Sequence, residues 1–257
     1  MVAMLAVRLA RAGINVSFVC PAHHPLLKAR AIRQRFRYSA ISPLQSLKAA
    51  IEVAAPDFII PCDDRAVKHL HELHSWSSSK KKSGRLICNL IEKSLGSARS
   101  YAIVSHRYDL LKIAREEGLR VPDTEQIESE SDLKAWQERH PLPWVLKADT
   151  TGNGRGVRFV RNTGQGVPFV RELTGFYSLR RAIRQFWRHR DPFWLRPWWN
   201  GFKPNVIVQS YIQGRPANCG VVCWRGKVLA GIGVEVVSET EMMAHSSVVR
   251  IVDNSDM

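Results

Sequence analysis

Two short runs, Trp144 to Lys147 and Val157 to Arg161, flank three glycines set at alternate positions, Gly152, Gly154 and Gly156. This arrangement limits the local fold more sharply than any other stretch of the chain. A dinucleotide fingerprint needs G-x-G-x-x-G between a strand and a helix, and a P-loop needs G-x-x-x-x-G-K-[ST] in the same setting. Neither fits. The spacing is G-x-G-x-G, no Lys-Ser or Lys-Thr follows, and the residues after Gly156 alternate apolar with basic, which predicts a strand. The first run, entered through Pro141 and Pro143, predicts another strand. The stretch therefore reads as an antiparallel hairpin with a long, glycine-rich tip.

Such a tip has a physical use. Without side chains, several backbone N–H groups can approach a polyphosphate, and a mobile tip can close after binding. Lys147 would aim a fixed cation at the phosphates and Arg155 a movable one. An exposed hairpin, with glycines for turn geometry and Lys147 as a solvated edge residue, satisfies the same spacing. The stretch alone leaves both readings open.

The chain has 257 residues, 45% hydrophobic and 24% charged, enough for one large domain or two ordinary ones. No run of eighteen apolar residues occurs, so no membrane span is predicted. Arg8 and Arg11 interrupt the apolar start, which reads as a helix and a strand rather than a signal peptide. Five scattered cysteines, Cys20, Cys62, Cys88, Cys219 and Cys223, suit reduced, buried thiols and a cytoplasmic location. Cys219 and Cys223 lack a second pair or a nearby histidine to complete a zinc site. The net charge of +15 admits nucleic acid. Much of it, however, falls in two stretches expected to be helical, Lys28 to Arg37 and Arg180 to Arg190, with no nucleic-acid-binding motif. Basic solvated faces and anionic small ligands account for it better.

Residues 1 to about 100 alternate helical with strand-like runs. Helices are expected at Met1 to Ala12, "PLQSLKAAIEVAA" and "RAVKHLHELHSW", and strands at "INVSFVC", "DFIIPCDD" and "RLICNL". That order predicts a mostly parallel sheet, and its opening on a helix suggests that the sheet lacks its first strand. "WSSSKKKSG" reads as a polar connector. His69, His71 and His74 share a predicted helix whose surface is expected to be wet, and His23-His24-Pro25 reads as a turn. Beyond residue 101, "SHRYDLLKIAREEG" is a helix ended by Gly118 and "ESESDLKAWQERHP" a capped helix. The basic, aromatic "LRRAIRQFWRHRDPFWLRPWWN" could serve a membrane surface or a base-stacking platform, but aromatics at this density are expected to pack against a neighbouring subdomain. Three runs, Val206 to Ile212, Asn218 to Trp224 and Val228 to Val237, predict an antiparallel meander.

The order of these elements resembles the ATP-grasp superfamily, especially its carboxylate-amine ligase and carbamoyl-phosphate-synthetase-like members. The pieces that match are "SHRYDLLKIAREEGLRVPDT", "PWVLKADTTGNGRGVRFV" and "VIVQSYIQGRPANCGVVCWRGKVLA". The resemblance implies an incomplete Rossmann-like α/β domain over residues 1–100 and an α+β ATP-grasp domain with antiparallel sheets over 101–257, incomplete at its end. It also implies roles for residues. Lys147 would contact the nucleotide phosphates, Gly152, Asn153, Gly154, Arg155 and Gly156 would form the closing loop, and Arg107 would stand in for an earlier lysine. Gln209 would face the adenine amino group, Tyr211 and Ile212 would supply the hinge beside the ring, and Asn218, or Ala217 beside it, would lie near the ribose. Lys147 and Arg155 are thus the expected catalytic cations.

The chemistry implied is attack of a carboxylate on the γ-phosphate of ATP, with capture of the acyl phosphate by an amine or another nucleophile. That step needs charge neutralisation and in-line positioning. Magnesium is expected of the family, but the segment where relatives place its carboxylates has no counterpart before Met257, and Glu235, Glu239 and Glu241 are poor substitutes. Arg250 could meet an anion. A non-catalytic nucleotide-binding module and a basic nucleic-acid-binding protein are the alternatives.

Overall fold

The computed structural model describes all residues except 1, 23, 31, 33, 81, 150, 152, 153, 155, 176, 177, 190–194, 200, 241–244 and 253–257. The chain divides into two units, Met1–Tyr101 with Ala182–Arg196, and Ala102–Arg181 with Pro197–Met257.

The first unit runs α1 (Val2–Arg11), β1 (Ser17–Cys20), β2 (Gln34–Arg37), α2 (Pro43–Ala54), α3 (Asp64–Ser78) and α4 (Lys82–Leu95). The sheet is smaller than expected. Among the described residues its parallel pairing is β1 with β2, Ser17 opposite Gln34 through Cys20 opposite Arg37. The stretch Asp57 to Cys62 is neither helix nor strand, and the N–H of Ile59 is taken by Ser94 Oγ at 2.9 Å. "RLICNL" lies within α4, where Ile87 and Ile91, one helical turn apart, pack against Leu70 and Leu73 of α3. A short apolar run was compatible with both periods, and the helical one holds.

The connector expected at Trp76 to Gly84 is also mostly helical, the end of α3 and the start of α4. Gly84 lets the two helices approach, because a Cβ there would overlap Ser77 O and stand 2.8 Å from Lys80 Cβ. The stretch Lys28 to Arg37, expected to be helical, instead ends in β2, and Arg35 ties down the loop before it. Its guanidinium donates to Ile32 O at 3.0 Å, Leu27 O at 3.0 Å and Ala29 O at 3.2 Å.

The three histidines of α3 are not on a wet face. His69 is buried with Tyr38 Oη 3.4 Å from its Nδ1, His71 stacks on Tyr101 at 3.8 Å, and His74 Nε2 meets Glu92 Oε1 at 3.0 Å. Burial, with Glu92 and Cys88 adding to it, pushes the Tyr101 phenol up to about 12. Burial also lowers His71, helped by His74. Of the cysteines, Cys20 is buried as expected, while Cys62, Cys219 and Cys223 are exposed.

After α5 (Tyr101–Ser105), the second unit contains α6 (Arg107–Glu116), β3 (Thr124–Ile127), α7 (Glu130–Arg139), β4 (Trp144–Ala148), β5 (Val157–Val160) and α8 (Gly166–Thr174). Next in the chain come α9 (Leu179–His189), most of which belongs to the first unit, and α10 (Arg196–Trp199), then β6 (Val206–Ser210), β7 (Ala217–Trp224), β8 (Lys227–Thr240) and β9 (His245–Val252). Helix α6 ends as read, at Gly118 with φ 78°. Helix α7 is capped as expected, in a capping box between Ser129 and Asp132.

The expected hairpin is present, β4 antiparallel to β5 with Trp144 opposite Val160 and Lys147 opposite Val157. The expected meander is divided between two sheets. Strand β6 joins the order β3-β6-β4-β5, antiparallel to both β3 and β4, while β7-β8-β9 form a separate antiparallel sheet. Arg225 (φ 48°) and Gly226 (φ 77°) close the β7–β8 hairpin in a two-residue turn with both central residues left-handed.

Register decides what each face of the four-stranded sheet does. Trp144, Leu146, Ala148, Val160, Val206, Val208 and Ile127 form one face, buried with Leu133 and Trp136 of α7 and Val170 and Leu173 of α8. Full burial of each large side chain contributes about 1.5–3 kcal/mol. The other face carries the side chains one position out of step, and Lys147 is among them.

Candidate functional site

Side chains alternate across a strand, and directly paired residues share a face. Lys147 pairs with Val157 and Ile207, and Val145 pairs with Phe159 and Gln209. Gln209 in turn pairs with Thr124. Lys147 and Gln209 are therefore diagonal neighbours on the face turned away from the helical core. Gln209 is 3% exposed and donates through Nε2 to Thr124 Oγ1 at 2.9 Å. That bond uses the amide N–H side and leaves Oε1 as the acceptor. Tyr211, two residues beyond Gln209, meets the Phe159 ring edge-on at 6.1 Å. Both rings are about two-fifths exposed, Tyr211 43% and Phe159 42%.

Lys147 is half-buried, and burial pulls its ammonium below the usual lysine range; the charge of Arg107 adds to that pull. A cation held in partial burial is poorly solvated, so an incoming anion gains more from it than from a surface lysine.

The base of the glycine loop is braced from α6. Arg107 donates from its backbone N–H to Asp149 Oδ1 at 3.4 Å and from its guanidinium to Ala148 O at 3.3 Å and Thr151 O at 3.4 Å. Asp149 is 3% exposed, and burial raises its carboxyl above the usual aspartate range against the opposing pull of Arg107. Thr151 Oγ1 donates to Ala148 O at 2.7 Å, and Ala148 N donates to Gly156 O at 2.8 Å. Gly156 must be glycine here, since a Cβ would overlap Thr151 Oγ1 and stand 2.6 Å from Thr151 Cβ. Gly154 turns with φ 66°, its carbonyl accepting from Val157 N at 3.1 Å.

Of the residues singled out in the sequence, Lys147, Gln209 and Tyr211 come to one sheet face, and Arg107, Gly154 and Gly156 to the loop base beside it. Gly152, Asn153 and Arg155 lie outside the described residues. Ile212 is 59% exposed just past β6. Asn218 sits on the separate sheet, opposite Val234. Sequence reasoning passed over Phe159, Thr124, Asp149 and Thr151. The first is indistinguishable from a core apolar residue in "VRFV", and the others mattered only once their partners were known.

No group of three His, Cys, Asp or Glu among the described residues stands where it could hold a metal ion. Asp149 is engaged by Arg107, and Glu235 is held by Arg215 Nη1 at 3.0 Å. The side chains of Glu239 and Glu241 lie outside the described residues. No helix among the described residues is long and apolar enough to cross a membrane.

No family model and no curated protein sequence matches this chain. Its fold is nevertheless shared with solved ligases. An L-amino acid ligase from Bacillus licheniformis superposes with a TM-score of 0.61 at 13% identity, covering 91% of this chain and 49% of that one. An N5-carboxyaminoimidazole synthetase from Staphylococcus aureus, complexed with ADP, gives 0.56 at 12% identity, covering 90% and 51%. A phosphoribosylglycinamide synthetase from Anaerococcus prevotii gives 0.52 at 14% identity, covering 93% and 50%. The fold is that of the ATP-grasp ligases, and the chain spans about half the length of the solved proteins it matches.

Proposed function

We propose that the second unit, Ala102–Arg181 with Pro197–Met257, is an ATP-grasp domain that binds ATP on the Lys147 face of its four-stranded sheet and activates a carboxylate as an acyl phosphate. The observation that carries this reading is the diagonal placement of Lys147 and Gln209 on that face, beside the braced glycine loop. The solved neighbour complexed with ADP supports it at the level of the fold. Residues 1–100 are proposed to be the preceding domain that such ligases carry.

Each residue then has a task. Lys147 meets the phosphates and offsets charge that builds as the γ-phosphoryl group leaves. Gln209, oriented by Thr124, accepts through Oε1 from the adenine amino group. Phe159 and Tyr211 form an apolar edge for the ring, and the backbone at Tyr211 and Ile212 reads its rim. Arg107 holds the loop base so that the N–H groups of the tip converge on the phosphates. The carboxylate oxygen attacks the γ-phosphorus, the bond to the β-bridging oxygen breaks, and ADP leaves; an amine then displaces phosphate from the acyl carbon.

Calorimetric titration with ATP tests the binding step. Lys147→Ala is expected to weaken binding at least tenfold, and Gln209→Leu to erode the preference for ATP over GTP. A folded native chain that takes up no ATP would end the proposal. Turnover is a separate claim, tested by carboxylate-dependent release of ADP, and binding without it would identify a nucleotide-binding module.

A further inference from the structure

Helix α9, "LRRAIRQFWRH" over Leu179–His189, is sharply two-sided. At 100° per residue, Ala182, Phe186, Leu179, Ile183 and Trp187 occupy one continuous arc, and Arg180, Arg184 and Arg181 the arc beside it. The apolar arc is not all consumed by packing. Ala182 is 4% exposed, but Leu179, Ile183 and Trp187, spaced four apart, form a ridge with 41%, 43% and 74% of their surfaces open. Arg180 and Arg184 are exposed along its flank. Trp198 and Trp199 of α10 are likewise 40% and 80% exposed. Trp187 and Trp199 thus leave most of their surfaces uncovered.

We propose that α9 is a membrane-surface anchor that lies in the headgroup layer of an anionic bilayer, its Leu179–Ile183–Trp187 ridge among the upper acyl chains and its Arg180 and Arg184 on lipid phosphates. The charge complementarity is specific to this helix as well as general to a chain of net charge +15. With 11 residues the helix is about 16 Å long, too short to span a bilayer but long enough to lie in its surface. A nucleic-acid platform fits less well, because bases stack on rings, whereas two of the three ridge residues are aliphatic. A second copy fits less well too, since a twofold contact across this ridge would bring two rows of arginine together.

The test is flotation of the full chain with vesicles of phosphatidylcholine alone and of phosphatidylcholine containing about one third phosphatidylglycerol. Binding to the anionic vesicles is expected, at least tenfold tighter than to neutral ones, with a component that survives high salt because the ridge is inserted. Arg180→Gln with Arg184→Gln should lower affinity by at least tenfold. Ile183→Ser with Trp187→Ser should remove the salt-resistant component. These side chains are exposed, and circular dichroism and unchanged ATP affinity would verify that the fold persists.

No flotation, flotation indifferent to both variants, or flotation wholly abolished by salt in the native chain overturns the proposal. So does retention of a single-stranded oligonucleotide, but not of vesicles, that depends on Trp187. Lipid-free self-association abolished by the Ile183/Trp187 pair would assign the ridge to a second copy instead.

Discussion

Lys147 and Gly156 show how much a single position carries. Burial lowers the Lys147 pKa, so in the window between that lowered value and the ordinary 10.5 the folded chain holds fewer protons than the unfolded one. By linkage, this residue's contribution makes stability rise with pH across that window. ATP affinity should move the other way, falling as the ammonium deprotonates, earlier than an ordinary lysine would require. Titrating affinity against pH checks this, and Lys147→Arg should flatten the profile, since arginine stays charged. At Gly156 the constraint is space. Gly156→Ala drives a methyl into Thr151 and is expected to cost about 1–3 kcal/mol, read as a melting shift of roughly 2–4 °C per kcal/mol. Lys147 was conspicuous, as a lysine in an apolar run before a glycine-rich tip, and its contact with phosphate is a proposal. Phe159 was not conspicuous, since an aromatic residue at an alternating position looks the same whether it faces a core or a ligand.

At the scale of elements, the join between α6 and the β4–β5 loop matters most. Arg107 supplies cationic compensation for Asp149, whose carboxylate is otherwise deeply buried. Removing one partner strands the other. Arg107→Ala is expected to destabilise the chain by about 1–3 kcal/mol, and Asp149→Asn to be milder in that background than alone. A double-mutant cycle by urea unfolding measures the coupling; additive costs would show that the two act separately. The Asp149 contribution has the opposite sign to that of Lys147. Its raised pKa makes its share of stability grow as pH falls through that value towards the ordinary 3.8. Elements with strong local signals were readable, among them α6 with Gly118, the β4–β5 hairpin and the Arg225-Gly226 turn. Helix α4 was misread because six residues of "RLICNL" are too few to separate a 3.6 period from an apolar strand. Strand β2 was missed because the purpose of its basic residues is revealed only by the carbonyls that Arg35 caps.

The whole molecule has separate buried clusters in its two units, around Phe18 and Leu73 in the first and around Leu146 and Trp144 in the second. Unfolding is therefore expected to depart from a single transition. Leu146→Ala should cost about 2–5 kcal/mol in the second unit alone, seen as hydrogen-exchange protection lost there and kept in the first. If ATP binds as proposed, it should raise only the transition that Leu146→Ala lowers. The sequence could not reveal strand order, which is where the site is assembled: β6 enters between β3 and β4, although β5, α8, α9 and α10 precede it in the chain. During synthesis, then, the β4–β5 hairpin leaves the ribosome with one flank of β4 unpaired, and so does β3. Neither the helical core nor the Lys147–Gln209 face can close until residues 206–210 have emerged, so a nascent chain stalled before that point should lack the proposed nucleotide site and should depend on chaperones to keep those edges apart.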